Sequence, residues 1–283
     1  MNRLPTERRV QIIAALCEGT SINATARQTG VSKVTILKLL AEVGDACLNF
    51  QRETLVNLPC TKIQADEVWS FVGCKEKRVP MGEKGMGRGD AWTWTALDAD
   101  TKLVPCWHIG ARDAEAAHLF MEDLASRLAN RVQLTTDGLR AYLVAVEGAF
   151  GWNGVDYAML VKLYGEAPEG PQRRYSPAKL ISAEKTWVMG NPDEDHVSTS
   201  YVERQNLTMR MNMRRLTRLT NGFSKKIENH VHAIALYFMH YNFCRKHETL
   251  TKAAGGIHTT PAMAAGVADH VWKLDEILAL LDG

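Results

Sequence analysis

The chain has 283 residues, 46% hydrophobic and 23% charged, proportions that exclude a disordered polyelectrolyte and suit one large folded unit plus a smaller module. Its apolar runs, such as Val231 to Met239 with His232 inside it, stop well short of the roughly 20 residues that cross a bilayer, and no apolar leader opens the chain, so a cytoplasmic protein is expected. The net charge of +2 hides two basic islands, Met1 to Leu40 with six basic residues against Glu7 and Glu18, and His196 to Lys226 with seven against Glu203 alone, which concentrates positive charge where a polyanion can be gripped.

In chain order, Val10, Ile13, Ala14 and Cys17 carry the helical spacing of a first helix over Thr6 to Glu18, closed by Gly19. Ser21 is placed to cap a second helix bearing Ile22 and Ala26. Gly30-Val31-Ser32 makes a turn, and Ser32 caps a third helix from Lys33 to Val43 with Val34, Leu37 and Leu40 or Ala41 inward. A small residue at 26, glycine at 30 and an aliphatic after it resemble a helix-turn-helix, with Lys33, Thr35 and Lys38 outward toward phosphates and base edges. Residues 1–45 are therefore expected to form a small all-α DNA-binding domain and 46–59 a connector.

A catalytic domain is expected over 60–250. Ile63 to Val72 alternates as a half-buried strand. The glycine-rich stretch 75–90 lacks the G-K-[ST] of a phosphate loop. Strands follow over Ala91 to Leu97 and Leu103 to Ile109 around a turn at Asp98-Ala99-Asp100, then a helix over Ala111 to Leu128 with Ala117, Phe120, Leu124 and Leu128 on one face. Val132 to Thr135 is a short strand ending at Asp137, Leu139 to Val146 a helix, and Tyr157 to Leu163 a fifth strand. The segment 165–195, rich in proline, glycine and charge, reads as an insertion before a long helix from about Ser200, and 251–283 as a helical tail. Three strands, helix, strand, helix, strand and helix is the order of a ribonuclease-H-like α/β fold, a mixed sheet flanked by helices.

Three acids stand out on these elements. Phosphodiester cleavage needs an activated oxygen nucleophile and a stabilised leaving oxygen, which two Mg²⁺ (or Mn²⁺) ions about 4 Å apart supply when held by hard carboxylate ligands. Asp66 lies midway along the first strand, Asp137 at the end of the fourth and Glu203 in the first turn of the long helix, positions that converge in this fold. Each has a rival reading. Glu67, on the opposite strand face, is the alternative to Asp66; Asp137-Gly138 is also a turn signal; and Ser200-Tyr201-Val202-Glu203 is also a capping box. Glu203, Asn206, Arg210 and Arg214 fall on one helical face, an acid leading a basic ridge suited to DNA phosphates. His240, Cys244 and His247 have a spacing permitted for zinc, with packing in a helix over the sheet the preferred reading. The six cysteines include no C-x-x-C pair and are expected to be reduced, structural thiols.

The blocks Asp66-Glu67-Val68-Trp69-Ser70-Phe71-Val72-Gly73-x-Lys75, Thr136-Asp137-Gly138-x3-Tyr142 and Val202-Glu203-Arg204-x-Asn206-Leu207-x2-Arg210, followed by Gly222-Phe223-Ser224-Lys225, resemble the catalytic blocks of bacterial insertion-sequence transposases of the insertion-sequence-one family. Tyr241-Asn242-Phe243-x-Arg245-x-His247 and Thr260-Pro261-Ala262-Met263-Ala264-Ala265-Gly266 are similar to the C-terminal ends of related transposase groups. The resemblance implies a DDE transposase with Asp66, Asp137 and Glu203 as ligands of two Mg²⁺ or Mn²⁺ ions. Its partners would be transposon ends and target double-stranded DNA, held by a homodimer or higher oligomer. Contacts to DNA are expected from Lys33, Thr35, Lys38, Arg204, Asn206, Arg210, Arg214, Arg218, Lys225 and Lys226. The N-terminal zinc finger of better-known members is missing from this sequence, and Tyr164 to His196 is longer than in compact members. A DNA-binding regulator derived from a transposase and a nuclease of the same fold are the alternative functions.

Overall fold

The computed structural model describes residues 4–151, 154–165, 179–217 and 220–282. Three helices open the chain: α1 (Thr6–Cys17), α2 (Ile22–Thr29) and α3 (Lys33–Thr54). The Ser21 hydroxyl accepts from Ala24 N at 3.2 Å and Ser32 from Thr35 N at 3.2 Å, each satisfying a backbone donor that the helix itself leaves unpaired. Gly30 ends α2 at φ 68°, a left-handed conformation that glycine adopts without a Cβ penalty.

α3 runs eleven residues past the expected stop at Val43, through most of the segment expected to be a connector. Gly44 reads as a breaker in the sequence, but here it lets α3 lie against α7 (Ile227–Met239), since a Cβ at 44 would sit 2.7 Å from His232 Cα. Val43, Cys47 and Gln51 continue the buried stripe, and Gln51 Nε2 donates to Ala235 O at 3.1 Å across the helix pair. The inward face of α3 is also rotated from expectation: Ile36, Leu39 and Leu40 are buried, while Val34 is 64% exposed.

The sheet has six strands, β1 (Lys62–Val72), β2 (Gly89–Asp98), β3 (Trp107–Gly110), β4 (Val132–Thr136), β5 (Val155–Tyr164) and β6 (Leu180–Met189), in the order β3-β2-β1-β4-β5-β6. β1 is antiparallel to β2 and parallel to β4, β4 is parallel to β5, and β6 returns antiparallel to β5. The first five strands have the order and directions expected of a ribonuclease-H-like sheet. β6 was not expected; it occupies part of the segment read as an insertion. It is an edge strand exposed from Leu180 to Trp187, so no buried alternation marks it in the sequence.

β3 is shorter than expected for a physical reason. The buried Asn242 side chain takes both backbone groups of Val104, accepting from its N–H at 3.0 Å and donating to its carbonyl at 3.0 Å, so Val104 pairs with a side chain, while Leu103 O and Cys106 O still accept from Asp98 N at 2.8 Å and Ala96 N at 3.3 Å of β2. Two layers cover the sheet. On one face α4 (Ala114–Arg127) and α5 (Ala141–Phe150) bury Phe120, Leu124 and Tyr142 against Ala65 and Trp94. On the other, α6 (Ser200–Asn212) and α7 bury Val202, Met209 and Phe238 against Val68 and Leu97. The short helices α8 (Glu248–Ala253), α9 (Pro261–Ala264) and α10 (Leu274–Ala279) finish the chain, and α10 packs on α1 and α3 through Ile277 and Leu278. Among the described residues no helix is long and apolar enough to cross a membrane.

Candidate metal centre

Strand alternation sends Gln64, Asp66 and Val68 toward α6 and sends Ala65 and Glu67 toward α5. The parallel pairing of β1 with β4 aligns Ala65 with Thr136, which sets Asp137 beside Asp66 where β4 ends. Asp137 Oδ1 accepts from Leu139 N at 2.9 Å, so the turn reading and the site reading of Asp137-Gly138 hold together: the turn aims the acid. Carboxylate oxygens of Asp66, Glu67 and Asp137 lie within 4.8 Å of one another. Glu67 thus reaches the cluster from the opposite strand face.

Glu203 arrives by a different route. Gln64, two residues before Asp66, accepts from Tyr201 N at 2.8 Å and Val202 N at 3.1 Å, which caps α6 onto β1. The N-cap of α6 is Thr199, so Ser200 is the first helical residue and the expected capping box does not form. The Glu203 carboxylate accepts from Thr199 Oγ1 at 2.7 Å and from Lys162 Nζ. It lies outside the tight cluster yet lines the same groove of about 730 Å³ as Asp66 and Asp137.

Arg112, Arg140 and Lys162 line the groove beside Asp66, Asp137 and Glu203, yet neither oxygen of Asp66 takes a cation as partner. The Asp66 carboxyl is pushed up from an ordinary 3.8 to about 7, first by burial, then by the charges of Glu67, Asp137 and Glu203, against the hydrogen bond it accepts from Glu67 N at 2.8 Å. Asn206 Nδ2 donates to its other oxygen at 2.8 Å. Burial and Asp137 also raise Glu67, opposed by Arg112 and Tyr142. Arg112 Nε donates to Glu67 at 2.5 Å, the Tyr142 hydroxyl at 3.0 Å, and Arg112 reaches on to Asp137 at 3.5 Å while lying 5.0 Å over the Trp92 ring. Sequence reasoning missed Arg112, Lys162 and Gln64; the available signals were a cation directly after β3, a lysine inside the apolar run of β5, and a polar residue on the Asp66 face of β1.

The residues expected at DNA are scattered more widely than the helical ridge suggested. Lys33, Lys38, Arg204, Lys225 and Lys226 are exposed and Arg210 is half-buried. Thr35 spends its hydroxyl on Ser32 at 2.9 Å. Asn206 is 3% exposed and turned to Asp66. α6 ends at Asn212, which leaves Arg214 in the 3₁₀ turn that follows and off the ridge. Arg218 lies outside the described residues. A π turn over His240–Cys244 followed by extended Arg245 breaks the single helical face expected for His240, Cys244 and His247. Among the described residues only Asp66, Glu67 and Asp137 come together as a group of three possible metal ligands.

No protein-family model matches the sequence, and no curated protein matches it. Among solved structures the chain overlaps a piggyBac transposase determined by cryo-electron microscopy as a synaptic complex with hairpin DNA, at 9% identity and a TM-score of 0.39, over 99% of this chain and 71% of that one. The sheet and its acids define a mixed α/β protein, helices on both faces, with a carboxylate cluster able to hold a cation beside its central strands.

Proposed function

We propose that the chain is a metal-dependent DNA transposase of the insertion-sequence-one type, with a ribonuclease-H-like catalytic domain and an N-terminal helix-turn-helix. The observation that carries this reading is the meeting of Asp66, Asp137 and Glu203, from β1, β4 and α6, along one groove. The donor set fits Mg²⁺ or Mn²⁺: every candidate ligand is a hard carboxylate oxygen, and Asp66, Glu67 and Asp137 bring such oxygens within 4.8 Å of one another. Such ions, bound there, would activate the attacking oxygen and stabilise the leaving one.

The chain's own residues supply the rest. Arg112 donates to Glu67 beneath the site, opposing the rise that burial imposes on it, and reaches Asp137. Gln64 and Asn206 hold α6 against β1, which fixes the position of Glu203 relative to Asp66. Lys162 pairs with Glu203 and holds its carboxylate at the edge of the groove. Lys33, Lys38, Arg204, Arg210, Arg214, Lys225 and Lys226 neutralise DNA phosphates, and two or more copies of the chain hold two transposon ends together. The test is nicking of supercoiled DNA with Mg²⁺ or Mn²⁺. The parent chain should nick, and Asp137→Asn should lose nicking while still binding DNA. An Asp137→Asn variant that nicks as fast as the parent would remove that acid from the site.

A further inference from the structure

The two basic islands, far apart in sequence, meet in space. A cavity of about 390 Å³ opens between the α1–α2 turn, the start of α3 and the segment that follows α6. Its wall carries Lys33 from the first island and Arg214, Arg215 and Lys225 from the second, and among the described residues no aspartate or glutamate lines it. None of these four cations forms an ion pair among the described residues. Lys33, Arg214 and Lys225 are exposed at its rim, and like charges gathered at one mouth without a counter-charge favour an anion there.

Arg215 is the most telling of the four. Burial alone lowers its pKa to about 10, a sign of a desolvated guanidinium with no acid at hand. It is held by a directed chain of hydrogen bonds: Arg215 donates to Ser224 Oγ at 2.8 Å, Ser224 pairs with His230 Nδ1 at 2.8 Å, His230 Nε2 with Ser70 Oγ at 3.3 Å, and Ser70 donates to Ala91 O at 2.9 Å. Every link is satisfied when neutral His230 carries its proton on Nε2, and burial, then Arg215, holds that ring neutral with a pKa of about 3. Gly73 N also donates to Ser224 O at 2.7 Å. The cleft wall is therefore fastened to β1, the strand that carries Asp66, and its remaining guanidinium donors suit a phosphate.

We propose that this cleft seats one backbone phosphate of duplex DNA, gripped jointly by Lys33 from the N-terminal helices and by Arg214, Arg215 and Lys225 from the segment after α6. The inference deepens the transposase reading and rests on its DNA partner. It makes the cleft a joint through which DNA bound by α3 is registered against β1 and the acids.

The experiment is duplex binding by fluorescence anisotropy in EDTA, so that no cleavage contributes, with Lys33→Gln, Arg215→Gln and the double variant. Each single variant should lower the slope of log affinity against log salt by about 0.9, the value for one lost phosphate. The double variant should lower it by about 0.9 again and not by twice that, because both residues hold the same phosphate. Arg215→Lys should restore part of the affinity. If Arg215→Gln does not fold, the exposed Lys225→Gln replaces it in the same cycle with Lys33→Gln. A doubled slope change, or no change for Arg215→Gln, overturns the proposal. Calorimetry with inorganic phosphate forms the second arm: binding that is lost in Arg215→Gln while duplex affinity stays unaltered would assign the cleft to a small free anion and overturn the DNA assignment. A chain that never cleaves but shows the coupled slopes would sink the metal chemistry alone.

Discussion

Replacing Asp66 by asparagine removes the one acid that the fold holds near 7, and its effect on stability should depend on pH in a defined direction. In the unfolded chain this carboxyl loses its proton near 3.8, but in the fold it does so only near 7, so between those values the folded state binds more protons and stability falls as pH rises. The penalty is absent below about pH 4, grows toward pH 7 and is complete above it. About three pKa units at ~1.4 kcal/mol each give ~4 kcal/mol, reduced to about 2 to 4 kcal/mol because Asp66 is partly open to solvent. Burial sets most of this value, and the charges of Glu67, Asp137 and Glu203 add to it against the hydrogen bond from Glu67 N; Arg112 and Lys162 face the same groove. Urea unfolding followed by circular dichroism in EDTA measures it. Asp66→Asn should match the parent near pH 3 and exceed it by about 2 to 4 kcal/mol near pH 8, and Mg²⁺ should narrow that gap by stabilising the parent alone. A stability difference that is flat across this range would refute the argument that burial and neighbouring acids raise the Asp66 carboxyl.

Further perturbations separate structural from chemical roles. Glu203→Gln, on an exposed side chain, should stay within about 0.5 kcal/mol of the parent in urea unfolding yet lose nicking. Glu67→Gln should cost about 1 to 3 kcal/mol, because its side chain is 1% exposed and charged against Arg112; if it leaves stability intact and abolishes metal binding by calorimetry, Glu67 and not Glu203 is the third ligand. Asn242→Ala leaves two buried backbone groups of Val104 without partners and should cost about 2 to 4 kcal/mol, read as a lower melting temperature. Gly44→Ala forces α3 away from His232 and should cost about 1 to 3 kcal/mol; a neutral result would mean the two helices have room to spare.

What was legible in the sequence were features with a strong local period or a local chemical signature. β1 declared itself by alternation, Ser21 and Ser32 by their place before apolar helical spacing, and Asp66 and Asp137 by lying in or at the end of buried strands. Features set by partners distant in sequence were not. Gly44 reads as a stop until His232 is seen against it, and nothing local shows that Val104, inside a strand-like run, gives its backbone groups to Asn242. Glu203 was ambiguous because a capping box and a carboxylate site use the same residue types, and the cap that α6 does take, Gln64, comes from another element and leaves no local mark in the sequence. β6 was hidden because an exposed edge strand has little apolar pattern to show, and Arg112 and Lys162 because single cations have no sequence signature.

The central claim, that Asp66, Asp137 and Glu203 serve strand transfer, is tested most directly by incubating the protein with Mn²⁺, a target plasmid and linear DNA ending in the sequences that flank its gene, then sequencing the junctions. The account predicts donor 3′ ends joined covalently to target DNA, and no junctions from Asp66→Asn, Asp137→Asn or Glu203→Gln. Hydrolysed ends that are never joined, or junctions that form as readily with Glu203→Gln, would contradict it.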